Sequence, residues 1–247
     1  IKKLRALLRL VQGGIGRDDH RKTENALCRA TDLVAASRDA RVMLQAFEQL
    51  AEDKAARRFP KIWQALQKNR RREARRFRDN DSIAAAKKYL RKTDQRWAGL
   101  KIKISGWAAI EPGLRESIRR GRQSCELALR QASSERFHDW RKQVKNFWHQ
   151  FRLLCPAWPA AARGLIDRLE HLGELLGKEH DLSLLKQFIQ DHCADEAGEV
   201  AAMNRLIEAR QKKLRAAALR LGARLYAETP VVICRRLGNY WNGWRVK

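Results

Sequence analysis

The chain has 247 residues, of which 53 are Lys or Arg and 28 are Asp or Glu, for a net charge of +25. That length suffices for one large domain or two small ones, and no run of about 18 apolar residues occurs, so no membrane-spanning helix is expected. Such a charge excess repels itself in a folded chain, a cost that a bound polyanion offsets. Nucleic acid, an anionic membrane surface and a phosphate polymer are therefore the candidate partners.

The chain lacks an initiator Met and opens inside a helical pattern, Ile1-Lys2-Lys3-Leu4-Arg5-Ala6-Leu7-Leu8-Arg9. A segment before Ile1 is expected from this, and no signal peptide is. From there on, apolar residues recur at three and four, in a background of Ala, Leu, Arg and Lys that favours helix. Helices are predicted over 1–11, 20–36, 39–58, 61–78, 82–98, 112–132, 134–154, 161–176, 182–194, 197–226 and 230–238. Pro60, Pro112, Pro156, Pro159 and Pro230 fall at helix edges in this scheme. The only short β-branched run, Val231-Val232-Ile233, reads as the start of a helix because helical text surrounds it. The fold class is all-α. Cys28, Cys125, Cys155, Cys193 and Cys234 are odd in number and form no CxxC pair, which fits free thiols in a reducing, cytoplasmic setting.

The chain also repeats itself. Residues 1–10 align with 144–153, Leu33–Asp39 with Leu175–Asp181, and Leu66–Arg70 with Leu206–Arg210, Arg75 and Arg215 following in each copy. The near-constant spacing predicts two copies of one helical unit, 1–105 and 106–247, within a single domain. Two bundles related by a pseudo-twofold axis, with equivalent faces lining one shared site, are the expected architecture.

The helix from His138 carries the clearest signal. At about 100° per residue, His138, Arg141, Lys145, His149 and Arg152 fall within an arc of roughly 80°, while Trp140, Val144, Phe147, Phe151 and Leu154 fall in a separate apolar arc. An ordinary solvated face mixes signs and sets Glu four residues before Lys; this stripe has no carboxylate. In the first copy Lys2, Arg5 and Arg9 share one face, matching Lys145, Trp148 and Arg152.

His138-x-x-Arg141-Lys142-x-x-Lys145 followed by Phe147-Trp148, then Leu175-Leu176-Gly177-x-x-His180-Asp181, resembles the CHAD family, the conserved histidine α-helical domain. Arg38-Asp39 in the first copy and Arg119-Arg120-Gly121-Arg122 fit the same pattern, and the resemblance spans essentially the whole chain. It implies two helical bundles about a basic central groove and binding of inorganic polyphosphate through Arg and Lys. Association with polyphosphate granules is expected with it. Family members are often joined to a triphosphatase domain with an alternating-glutamate motif. That motif is missing here, so catalysis is not carried over. Two positions depart from symmetry: Trp148 stands where the first copy has Arg5, and Arg38 where the second has His180.

The expected polyphosphate-binding residues are Lys2, Arg5, Arg9, Arg38, Arg70, Arg75, Arg119, Arg122, His138, Arg141, Lys142, Lys145, His149, Arg152, His180 and Arg210. Arg supplies a planar fork and Lys a point charge to phosphate oxygens. Asp181 is read as capping a helix at a junction or as holding a basic side chain, as Asp39 does in the first copy. No metal site is expected: His138 and His149 are eleven residues apart, about three turns, and cannot share one ion from a regular helix. No cofactor is expected, and the absence of a phosphate-cradling Gly loop or an Mg²⁺-type carboxylate cluster argues against an enzyme. A nucleic-acid-binding helical protein is the alternative, although no helix-turn-helix, zinc finger or RNA-binding motif is present. The tryptophans read mainly as core, with Trp241 and Trp244 as a terminal lid or a partner contact.

Overall fold

A computed structural model describes residues 1–51, 55–100, 104–157 and 159–245. Among these residues the chain is helical, with no strand. The α-helices are α1 (Lys2–Leu10), α2 (Arg17–Ala51), α3 (Ala55–Arg58), α4 (Pro60–Asp79), α5 (Ser82–Ala98), α6 (Trp107–Arg130), α7 (Ser134–Leu154), α8 (Pro159–His192), α9 (Ala197–Leu225) and α10 (Pro230–Arg245). Local chemistry sets several starts. Ser133 caps α7, its Oγ accepting the Arg136 N–H, and the Thr229 hydroxyl accepts the Val232 N–H at the head of α10. Proline occupies the first position of α4, α8 and α10, where its missing N–H costs nothing. The first free N–H groups of α4, on Lys61 and Ile62, donate to the Glu199 carboxylate of α9 at 3.3 and 3.2 Å.

Two expected breaks do not occur. The helices predicted over 20–36 and 39–58 are joined in α2, which runs unbroken to Ala51, and those over 161–176 and 182–194 are one continuous α8. The part of 39–58 at 52–54 lies outside the described residues. Asp181 therefore sits deep inside α8 and caps nothing. The reason lies in the packing. The first part of α8 places Leu169, Leu172 and Leu176 in a core shared with α6, α7, α9 and α10 around Trp140, Phe147 and Phe151. Its last part places Leu182, Leu185 and Ile189 in a second core with α2, α4 and α9 around Phe47, Ile62 and Leu66. Likewise α2 gives Leu27 to a small cluster with Leu8 and Ile15 and its later residues to the second core. Each interruption of apolar periodicity marks a handover between cores rather than a loop.

Two further differences are smaller. α6 starts at Trp107, five residues ahead of the expected edge, and carries Pro112 inside it. α10 continues to Arg245, and Trp241 packs against Trp107 with ring centroids 6.3 Å apart. Trp244 is 53% exposed and meets Trp241 edge-on.

α1 docks on α7 and α6. The buried Gln150 amide of α7 donates to the Ala6 carbonyl at 3.1 Å. Gly113 of α6 lies so close to the end of α1 that a Cβ there would overlap the carbonyl oxygens of Arg9 and Leu10. Backbone oxygens cannot yield as a flexible side chain can. Gly113→Ala is therefore expected to lower stability by about 1–3 kcal/mol in urea denaturation. Gly164→Ala, in open space on α8, is expected to leave stability unchanged or raise it by up to about 1 kcal/mol.

Candidate functional site

α7 and α8 run antiparallel, and their register builds the site. Opposite Lys145 is Gly173, where a Cβ would come within 3.0 Å of Lys145 Cε and 3.1 Å of its Nζ. One turn further, Gly177 faces Arg141, with a Cβ position 3.7 Å from Arg141 Nε. One turn beyond that, the rings of His138 and His180 meet with centroids 4.2 Å apart. The two glycines thus give the long cationic side chains room to lie across α8. Below this face Arg215 of α9 donates to Glu179 Oε1 at 2.6 Å and to Ser134 Oγ and the Ala132 carbonyl at 2.7 Å each. Glu179 is 1% exposed, and this buried network ties α8 and α9 to the head of α7.

α1 and α2 bring further charges to the same face. After burial, Arg38, Arg141 and Lys145 lower the pKa of Lys2 against the field of Asp181, Arg38 lowers that of Arg141 against Asp181 and Asp39, and Arg141 and Arg38 lower that of Lys145 against Glu170 and Glu174. Partial burial is the main cause of the lowered pKa of Lys2 and Lys145, with the neighbouring cations second. Asp39 and Asp181 lie among these cations, yet burial pushes both carboxyls above their usual range, overriding the attraction of Arg38 and Arg141. Burial, then the adjoining cations, lowers His138, brings His149 to about 4 and brings His180 to about 3. Three neutral imidazoles therefore stand within a cationic cluster at neutral pH. His138 Nδ1, Arg141 Nε and Asp181 Oδ1 are buried and have no hydrogen-bond partner among the described residues. At the far end of the stripe Lys145 and Arg152 both lie over the Trp148 indole, 4.9 and 4.8 Å from its centroid. That indole is 9% exposed, so Trp148 is core as well as a platform for two cations.

The cluster continues into two clefts. Arg38 shares one of about 550 Å³ with Arg41, Arg70, Arg71 and Arg78, over Val34 and Phe77 between α2 and α4. Asp181 shares another, of about 440 Å³, with Lys178 and Arg210 between α2, α8 and α9. The remaining expected site residues have acidic partners, on their own helix or on a neighbouring one. Arg5 and Arg9 both bind Glu24 of α2, at 2.8 and 2.9 Å. Arg75 pairs with Asp79 at 3.5 Å, Arg119 with Glu116 at 2.7 Å and Arg122 with Glu126 at 3.1 Å. Lys142 bonds Asp139 at 3.0 Å while still contributing to the field at His180. Among the described residues no group of three or more His, Cys, Asp or Glu is placed to hold a metal, and no helix is long and apolar enough to cross a membrane. All five cysteines are free.

Gly173 and Gly177 were not among the expected site residues, although two glycines four apart inside a helix were a legible sign of close approach. Arg41, Arg71 and Arg78 were hidden in the dense basic run of α4 and its neighbour, where nothing in one dimension tells an inward cation from a solvated one. The chain matches the CHAD domain over residues 1–190 and belongs to that family. No curated protein and no solved structure gave a match. The matched stretch ends within α8, yet α9, beyond it, supplies Arg215 to the buried network and Arg210 to a cleft.

The histidines make stability pH-dependent. Their folded pKa values lie below the unfolded value of about 6.5, so the unfolded chain binds more protons below that pH and stability is lost as pH falls toward the folded values. Without an anion present, the urea midpoint is expected to fall between pH 7.5 and 5.5, and His180→Asn to flatten that slope.

Proposed function

We propose that this CHAD-family protein binds inorganic polyphosphate, without turning it over, along the cationic face where α1, α2, α7 and α8 meet. The observation that carries this reading is that Lys2, Arg38, Arg141 and Lys145 converge there from different helices in numbers that Asp39 and Asp181 do not balance. Polyphosphate carries about one charge per phosphate and has no bases to read, so a succession of forks and point charges suits it. The Arg38 cleft extends the track over α4, and Arg210 lines the cleft that holds Asp181. Arg5, Arg9, Arg119 and Arg122 would have to give up or share their carboxylate partners to reach a polymer. His138, His149 and His180 donate hydrogen bonds and gain protons as the polymer approaches.

The two-copy architecture belongs to the same proposal. Residues 1–105 and 106–247 would be equivalent halves, α1 matching α7 and α2 matching α8. Supporting it, the paired positions Lys2 and Lys145, Arg38 and His180, and Asp39 and Asp181 all fall in one cluster. The 35 residues of α2 and 34 of α8 are also near-equal. A cytoplasmic protein that associates with polyphosphate granules follows from this reading.

The exposed basic run of α4 and α5 keeps nucleic acid as the alternative. A competition assay separates the two: long polyphosphate is expected to displace a nucleic-acid probe at matched charge, and failure to do so would overturn the polyphosphate reading. Arg141→Ala with Lys145→Ala is expected to weaken polyphosphate binding at least about tenfold with unchanged helical content by circular dichroism. A subtler test uses Gly173→Ala. The neighbour a methyl would meet is the flexible end of Lys145, so stability is expected to hold while affinity falls.

A further inference from the structure

A cavity of about 470 Å³ lies apart from the cationic cluster, between the end of α7, the start of α8, the end of α9, and α10. Phe147, Phe151, Ile233, Leu237, Trp107 and Trp241 give it an apolar, largely aromatic wall. Its size falls within the range of about 300–1,000 Å³ typical of small-ligand sites, which pair such walls with a few polar groups that orient the ligand. On the α8 side, small residues, Ala160, Ala162 and Gly164, precede Leu165 and Arg168 in the lining, and a Cβ at Gly164 would meet nothing within 4 Å.

The polar groups are of one sign in excess. Arg236 is satisfied by Glu228 through two hydrogen bonds of 3.0 and 2.7 Å. Arg168 and Arg224 line the same cavity and have no carboxylate partner among the described residues. A polyphosphate chain has no apolar surface to set against the aromatic wall, and a neutral apolar molecule would offer no counter-charge to the two unpaired guanidinium groups at the rim. We propose that this cavity is a second ligand site, for an amphipathic monoanion of the medium-chain acyl carboxylate class. The acyl chain lies along Phe147, Phe151 and Trp241, and the carboxylate meets the forks of Arg168 and Arg224. This goes beyond polyanion binding and does not depend on it.

Titration calorimetry of the full chain with decanoate, and with decanol as its uncharged counterpart, tests the proposal below the micellar range. Decanoate is expected to bind one to one, and decanol at least about tenfold more weakly. Arg168→Gln with Arg224→Gln, both solvent-facing positions, is expected to weaken decanoate at least about tenfold. Gly164→Phe, whose ring fills the space, is expected to abolish it with the thermal midpoint retained. Polyphosphate affinity should be the same in all these variants. Equal affinity for decanol and decanoate, or wild-type decanoate affinity in either variant, would overturn the proposal.

Discussion

The antiparallel register between α7 and α8 is the constraint on which the rest of the site depends. It sets Lys145 across from Gly173, Arg141 across from Gly177, and His138 against His180. A shift of one residue along either helix would turn these side chains into the apolar cores on both sides. The register is held from outside the site, by the buried Glu179 carboxylate. Arg215, Gln211 and Ser134 all donate to its Oε1. Removing one partner of a buried ion pair costs far more than the pair itself contributes. This network therefore acts less as a source of stability than as a penalty on every other alignment.

Gathering like charges costs free energy, and the structure limits that cost in two ways. Many of the basic residues stay outside the cluster, solvated or bound to carboxylates on their own helices, as Arg119 and Arg120 are to Glu116. Within the cluster, the imidazoles remain neutral and Asp39 and Asp181 supply partial compensation. The cluster also lies where α2 and α8 pass from one core to another, so its cations displace little apolar packing. The same long helices that stabilise the cores therefore carry the charges between them.

The helical class and the α7 stripe were legible because a repeat of 3.6 residues writes itself into one dimension. The assignment of Trp140 to the core followed from that arc, and Trp148, read as core with the other tryptophans, is buried as well. The handovers at Arg38-Asp39 and His180-Asp181 were misread as helix ends, since a gap in apolar periodicity looks the same whether the chain turns or changes partner. Which carboxylate meets which cation was not legible either. Glu24 takes Arg5 and Arg9 from another helix, a pairing that sequence distance does not reveal. Lys142 and Asp139, three residues apart on one helix, follow from spacing alone.

Trp148 has one more consequence. The centroid of its indole lies 4.9 Å from the ammonium of Lys145 and 4.8 Å from the guanidinium of Arg152, cations that a bound anion would draw away. Indole emission shifts in colour and intensity with the field of the charges beside it. If the stripe takes up an anion as proposed, that uptake would change the emission of Trp148 and could be followed without a label.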